Sequence, residues 1–303
     1  MVLRSIIILF SFLLFSHVPA IYAENLVIES DAVAIHFEKE LTKVAQEIIK
    51  GYPPIRDELI KTLKQKVDFR PDVVLVKERD KFRRVSGSEM IIAFALPERN
   101  LIVIDVSRVY AKPFTLETTL KHELCHLILH RGVQGENIPR WFDEGVCQWS
   151  SGGIAELMLD ESDKSLARAV VSERLISLSE LQRFPPDGQH LTLAYEESKS
   201  VLEYIAGKYG GESIVRMLEY LKEGDSINGS IEKSLSISHG ELEKNWQRYL
   251  KRKYTWYSYL SNNLYIIIFT LAGLITIYGF IRLLKKKREY VDEENEEENS
   301  ENK

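Results

Sequence analysis

Eighteen consecutive residues without a charge, LYIIIFTLAGLITIYGFI from Leu264 to Ile281, constrain this chain more than any other feature. The run is just long enough to cross a bilayer, and in lipid a single span must be a helix to satisfy its own backbone hydrogen bonds. Arg282 can snorkel, which extends the expected span to residues 264–284. Aromatic residues stand before it (Tyr254, Trp256, Tyr257, Tyr259) and within its ends (Tyr265, Tyr278), as an interfacial belt requires. A buried core helix is the competing reading, and the strongly polar tail that follows at once argues against it.

The other end has a related constraint. MVLRSIIILFSFLLFSHVPAIYA carries Arg4, an apolar run from Ile6 to Phe15, and small residues at Ala20 and Ala23. That is the layout of a secretory signal over residues 1–23, cleaved after Ala23 or Ala20; an uncleaved anchor is the alternative. Both readings put the middle of the chain outside the cytoplasm. A translocated N-terminus forces one later span to end inside, and Arg4 would keep the start of an uncleaved anchor inside. The basic run at 285–288 agrees with the positive-inside rule, although Lys251, Arg252 and Lys253 on the far side weaken that argument. Residues 254–263 read as a juxtamembrane linker and 285–303 as a cytoplasmic tail. The acidic end of that tail has little to bury and is expected to be disordered.

What remains, residues 24–253 of a 303-residue chain that is 45% hydrophobic, is long enough to bury one sizeable core. A formal net charge of -5 excludes nucleic acid as the expected partner. NLVIES, VVLVKE (73–78), MIIAFA (90–95) and LIVIDV (101–106) read as strands, the last two separated by the turn-forming LPERN. Residues 34–66 show helical spacing, with a break expected at Gly51, Pro53 and Pro54. After Lys112 and Pro113 the pattern is helical to the membrane. Short strands first and helices afterwards predict an α+β domain.

The helix that opens the second half carries KHELCHLILH, residues 121–130. His122 and His126 are four apart, so on a helix they share one face and can hold one metal ion. Glu123 lies beside the first of them, placed to reach a water rather than the ion, which is the logic of H-E-x-x-H. His130 stands about 12 Å of helix beyond His122, too far for all three to meet one ion, and reads as a surface or helix-end residue. In IPRWFDEGVCQW, Pro139, Trp141 and Phe142 begin a new helix with Glu144 in its first turns. A helix pair with a loop of this length can return Glu144 over the histidines, giving the His2Glu set of a catalytic zinc.

HELCH followed by PRWFDEG resembles the gluzincin metallopeptidases, in particular the bacterial peptidase MA-like domain. The strand before GSEMIIAFALPERNLIVID, the segment LAYEESKSVLEYIAGKYG and the closing helix around ELEKNWQRYL resemble it as well, so the likeness runs over roughly residues 25 to 250. The resemblance implies a thermolysin-like zincin domain: a small sheet with an edge strand, then a helical half carrying both motifs. It makes His122, His126 and Glu144 ligands of one Zn2+ per chain, and Glu123 the general base for hydrolysis of a peptide or protein substrate. Tyr195, in LAYEES, becomes a candidate donor to the oxyanion by that same resemblance; a core tyrosine is the equal alternative. His190 is a rival for the role, and Tyr204 reads as core. The interval from His126 to Glu144 is slightly shorter than in thermolysin or the large aminopeptidases, and the G-x-M-E-N signature of the latter is missing. An endopeptidase is therefore expected.

Three smaller readings stay open at this point. LIVIDV is either the edge strand that holds an extended peptide or an ordinary strand. Gln148 either orients a ligand or occupies a solvated helix position. An extracytoplasmic Cys125 and Cys147 could form a disulfide, but small buried hydrophobes are the reading preferred. The whole is expected to be a single-pass enzyme of a bacterial cell membrane, with lipid on its C-terminal helix. The alternative is a non-catalytic extracytoplasmic binding or scaffold module that keeps the fold. An intramembrane protease is excluded because the motif lies far from the apolar span.

Overall fold

The computed structural model describes residues 26–112, 114–133, 138–152, 162–185, 188–262 and 264–301. The expected signal segment, 1–23, lies outside them. The chain divides into two units between Tyr249 and Leu250.

In the first unit, five strands form one mixed sheet. These are β1 (Leu26–Glu29), β2 (Ala34–Phe37), β3 (Asp72–Val76), β4 (Ala93–Leu96) and β5 (Leu101–Asp105). Their order is β1-β2-β3-β5-β4, with β2, β3 and β5 parallel and both edges antiparallel. Every residue of β5 is buried, which is the character of an interior strand. LIVIDV is therefore not an edge. The edge on that side is β4, whose residues after Ala93 are only half-buried.

Two sequence expectations fail between β1 and β3. Ala34–Phe37, expected to be helical, is a strand: three of its four residues are buried, and it pairs on both sides. Helix α1 (Thr42–Leu63) then runs unbroken through Pro53 and Pro54. Its buried stripe (Ala45, Ile48, Tyr52, Ile55, Leu59, Leu63) keeps helical spacing across the prolines. Burial of that continuous face outweighs the local cost of the missing backbone donors. A short helix α2 (Arg79–Ser86) follows β3. Its first residue, Arg79, donates from Nη1 to Ile91 O (2.8 Å) and to the buried Asp105 Oδ2 (2.8 Å), which pins the approach to β4 against the end of β5.

The helical half consists of α3 (Leu116–Gly132), α4 (Arg140–Ser151), α5 (Ser162–Val171), α6 (Gly188–Tyr209), α7 (Gly211–Lys222), α8 (Ile227–Leu235) and the start of α9 (His239–Asn262). Thr115 caps α3 by accepting from Thr118 N (3.1 Å). From Thr119 to Leu129 every residue of α3 is buried, including Lys121, His122, Glu123 and His126. A helix buried all round has no solvated face to hold such groups, so each needs a partner or a purpose.

Helix α6 carries two buried carboxylates. Glu196 Oε2 accepts from Leu166 N (2.7 Å) and Glu197 Oε1 from Ile176 N (3.0 Å), tying α5 and the segment after it to α6. Burial pushes Glu197 up to about 8. Trp246, fully buried on α9, donates to Ser200 Oγ of α6 (2.9 Å).

The second unit contains the end of α9 and helix α10 (Leu264–Glu301). Residues Leu264–Lys286, with mean hydropathy 2.3, are long and apolar enough to cross a membrane. The acidic tail, expected to be disordered, continues this helix to Glu301. Glu is a good helix former, so the turns already formed upstream can propagate into this Glu-rich stretch.

Helix α4 lies so close to α6 that a Cβ on Gly145 would meet the Leu202 side chain and stand 2.7 Å from Ser198 O. The carbonyl belongs to a helix and cannot move aside. Gly145→Ala should therefore cost about 1–3 kcal/mol in chemical denaturation, whereas the same change at exposed Gly240, which meets nothing within 4 Å, should not be destabilising.

Candidate metal centre

Pro139 sets the start of α4: its carbonyl accepts from Phe142 N (2.9 Å) and Asp143 N (3.0 Å). Trp141 and Phe142, both fully buried, pack edge to face at 5.5 Å and fix the first turn against the core. Gly152, at φ +80°, ends the helix in the left-handed region. The turn between those limits brings Glu144 to the histidines of α3.

Three ligand atoms converge there. His122 Nε2 and His126 Nε2 are 3.1 Å apart, and Glu144 Oε2 lies 3.4 Å from the first and 3.6 Å from the second. Ligand atoms about 2.0–2.1 Å from one ion at tetrahedral angles stand roughly 3.3–3.4 Å from each other. The triangle therefore fits one cation, with all three residues buried. Its donor set, two imidazoles and a carboxylate, is that of a catalytic zinc with a fourth position open. The second carboxylate oxygen, Glu144 Oε1, is 2.6 Å from Arg140 Nη2, so the two oxygens of Glu144 have different partners. Glu123, also fully buried, follows His122 about 100° around the helix.

A residue that the sequence reading did not single out completes the site. Asp143 Oδ1 accepts from His126 Nδ1 (2.9 Å), and Asp143 Oδ2 accepts from His130 Nε2 (2.9 Å). His130 is thus a helix-end residue, as expected, but one tied to the site. Burial pulls the His126 ring toward neutrality, yet Asp143 and Glu144 outweigh it and hold its pKa well above the usual histidine range. Burial alone would raise the Asp143 carboxyl, but His126 and His130 hold it well below the usual carboxylate range. The field of this pocket favours positive charge beside His126. Asp143 could have been found in the sequence by asking what partner a ligating histidine uses for its other nitrogen.

The cysteines are a correction. Cys125 and Cys147 form a disulfide between α3 and α4 rather than acting as two separate small hydrophobes. Each sits within three residues of a metal-ligand candidate, so the cross-link joins the two ligand helices at the level of the site. Cys147 Sγ also lies 3.6 Å from His126 Nδ1. Spacing alone could not decide the pairing, because it depends on the crossing of two helices.

Tyr195 is buried on α6, its ring edge to face with Phe184 at 4.9 Å. The Arg140 guanidinium covers the Phe184 ring at 5.8 Å, which connects Tyr195 to Glu144 through two side chains. His190 is exposed in the first turn of α6. Tyr204 is buried among Tyr209 and Tyr249 and accepts from Lys208 Nζ (2.9 Å), in keeping with a core role. Gln148 is fully buried rather than solvated, and among the described residues its amide has no hydrogen-bond partner.

Comparison with known proteins assigns the class. Residues 86–252 match the model of the Peptidase MA superfamily, and the chain belongs to that family. The match spans the edge strand, both ligand helices and α6, so the domain is a gluzincin-like peptidase MA domain. Among solved structures the chain is similar to an M1 zinc metallopeptidase from Deinococcus radiodurans, determined as a point mutant. Identity is 12% and the TM-score 0.44, with 74% of this chain and 51% of that one covered. The chain thus spans about half the length of that protein. No curated protein matches the sequence.

Proposed function

We propose that this chain is a zinc endopeptidase whose catalytic domain, residues 24–253, works outside the cytoplasm of a bacterial cell and is anchored by the C-terminal helix. The observation that carries the reading is the buried triangle of His122 Nε2, His126 Nε2 and Glu144 Oε2, with sides of 3.1, 3.4 and 3.6 Å. Membership of the Peptidase MA superfamily supports it.

In this reading the three residues hold one zinc ion per chain. Such an ion supplies a Lewis acid that polarises the scissile carbonyl and brings the pKa of a coordinated water to about 7. Glu123 takes the proton of the attacking water and then delivers it to the leaving amine. Tyr195 donates its hydroxyl to the carbonyl oxygen as negative charge develops there. An extended peptide lies along the edge strand β4, held by main-chain hydrogen bonds, and Arg79 keeps the start of that strand in place. The missing aminopeptidase signature favours cleavage within a chain.

Glu123→Gln keeps the shape of the side chain but cannot accept the proton. Peptide cleavage should fall by about 10²–10⁴-fold, with zinc content and thermal stability close to the parent. Unchanged cleavage with zinc still bound would replace the catalytic reading by the scaffold reading.

Topology has its own test. A reporter active only outside the cytoplasm should work when fused after Lys253 and fail when fused after Lys303. Activity of the second fusion would contradict a single span.

A further inference from the structure

Three histidines stand on one face of α3, and the proposed zinc ion uses two of them. The third is joined to the site by a residue of the other ligand helix. Asp143 is 3% exposed and uses both carboxylate oxygens on imidazoles, Oδ1 on His126 Nδ1 and Oδ2 on His130 Nε2, each at 2.9 Å. An ionised carboxylate can only accept, so both nitrogens facing it carry hydrogen. In the neutral ring that a metal ligand must be, this leaves His126 Nε2 bare, the atom that stands 3.1 Å from His122 Nε2 and 3.6 Å from Glu144 Oε2.

We propose that Asp143 and His130 are positioning residues of the metal centre: Asp143 fixes the tautomer and ring direction of His126, and His130 holds Asp143. The inference rests on the zinc reading above and adds the residues that orient one of its ligands. A disulfide sulfur also lies 3.6 Å from His126 Nδ1, a weaker acceptor than a carboxylate and less able to select one tautomer. Without His130, one oxygen of a buried charge would lose its donor, a costly arrangement that would pull Asp143 toward other partners. His126 and His130 are four residues apart, so a single carboxylate spans them along one face of α3. Asp143 also precedes Glu144, and the two hydrogen bonds fix the turn of α4 from which Glu144 reaches the histidines. His130, 36% exposed, closes the chain at the protein surface.

The test uses the full-length chain in detergent and measures zinc affinity by competition with a chelator. Asp143→Ala should bind zinc about 10–100-fold more weakly. Asp143→Asn keeps an acceptor for His126 and should lose less. His130→Ala should weaken zinc binding, and His130→Gln, which retains an N–H donor, should recover most of the loss. A second readout is ¹⁵N NMR of the histidines in the metal-free protein. At a pH high enough to make the His126 ring neutral, its proton should sit on Nδ1 in the parent and should lose that preference in Asp143→Ala. A merely structural role would lower the melting temperature of the metal-free variants and leave both the affinity of folded protein and the tautomer unchanged, which would overturn the proposal. Should Asp143→Ala not fold, His130→Ala and His130→Gln decide: equal, parental affinity in both overturns it. His122→Ala separates the two levels of the argument. Zinc retained by that variant sinks the metal reading itself, whereas zinc lost there but held at parental affinity by Asp143→Ala sinks only the positioning role.

Discussion

The crossing of α3 and α4 is the constraint on which the rest of the structure depends. Two imidazoles, two glutamates and an aspartate are buried where these helices meet, an arrangement that would be severely unfavourable without partners. The partners come from the crossing itself. Asp143 bonds to two histidines of the other helix, Glu144 faces the same histidine pair, and a disulfide joins the helices beside them. In a chain-entropy account, a cross-link over 22 residues removes about 3 kcal/mol of unfolded-state freedom. The close approach of α4 to α6 at Gly145 fixes the crossing from its other side.

The sheet and the helical half divide the work. The sheet presents β4 as an edge strand, with Arg79 and Asp105 fastening its approach. The helices hold the polar cluster that can do chemistry. Arg140 couples the cluster to its surroundings: it pairs with the outer oxygen of Glu144 and stacks on Phe184, against which Tyr195 packs. A change at Phe184 would therefore be felt by both the proposed ligand and the proposed oxyanion donor.

Much of the site was legible because its chemistry is local in sequence. His122, Glu123 and His126 occupy five consecutive positions, and Glu144 follows an aromatic helix start. The alternation of strand and helix was legible for β3, β5 and the helices after Lys112. What was missed depends on contacts between distant segments. Ala34–Phe37 has helical spacing on paper but is a strand because β1 and β3 pair with it on both sides. Pro53 and Pro54 signal a break that the packed face of α1 overrides. LIVIDV could not be placed within the sheet until the strand order was known. Asp143 looked like any acidic residue in a first turn, where a charge near the helix N-terminus is common, and its link to His126 and His130 appears only when the helices cross.

The central claim is that this crossing builds a zinc site. The most direct measurement is anomalous diffraction at the zinc absorption edge, from crystals of the full chain. The account predicts one peak per chain, about 2.0–2.2 Å from His122 Nε2, His126 Nε2 and Glu144 Oε2. A peak at another place, or crystals grown with zinc that show no peak among these three atoms, would contradict it.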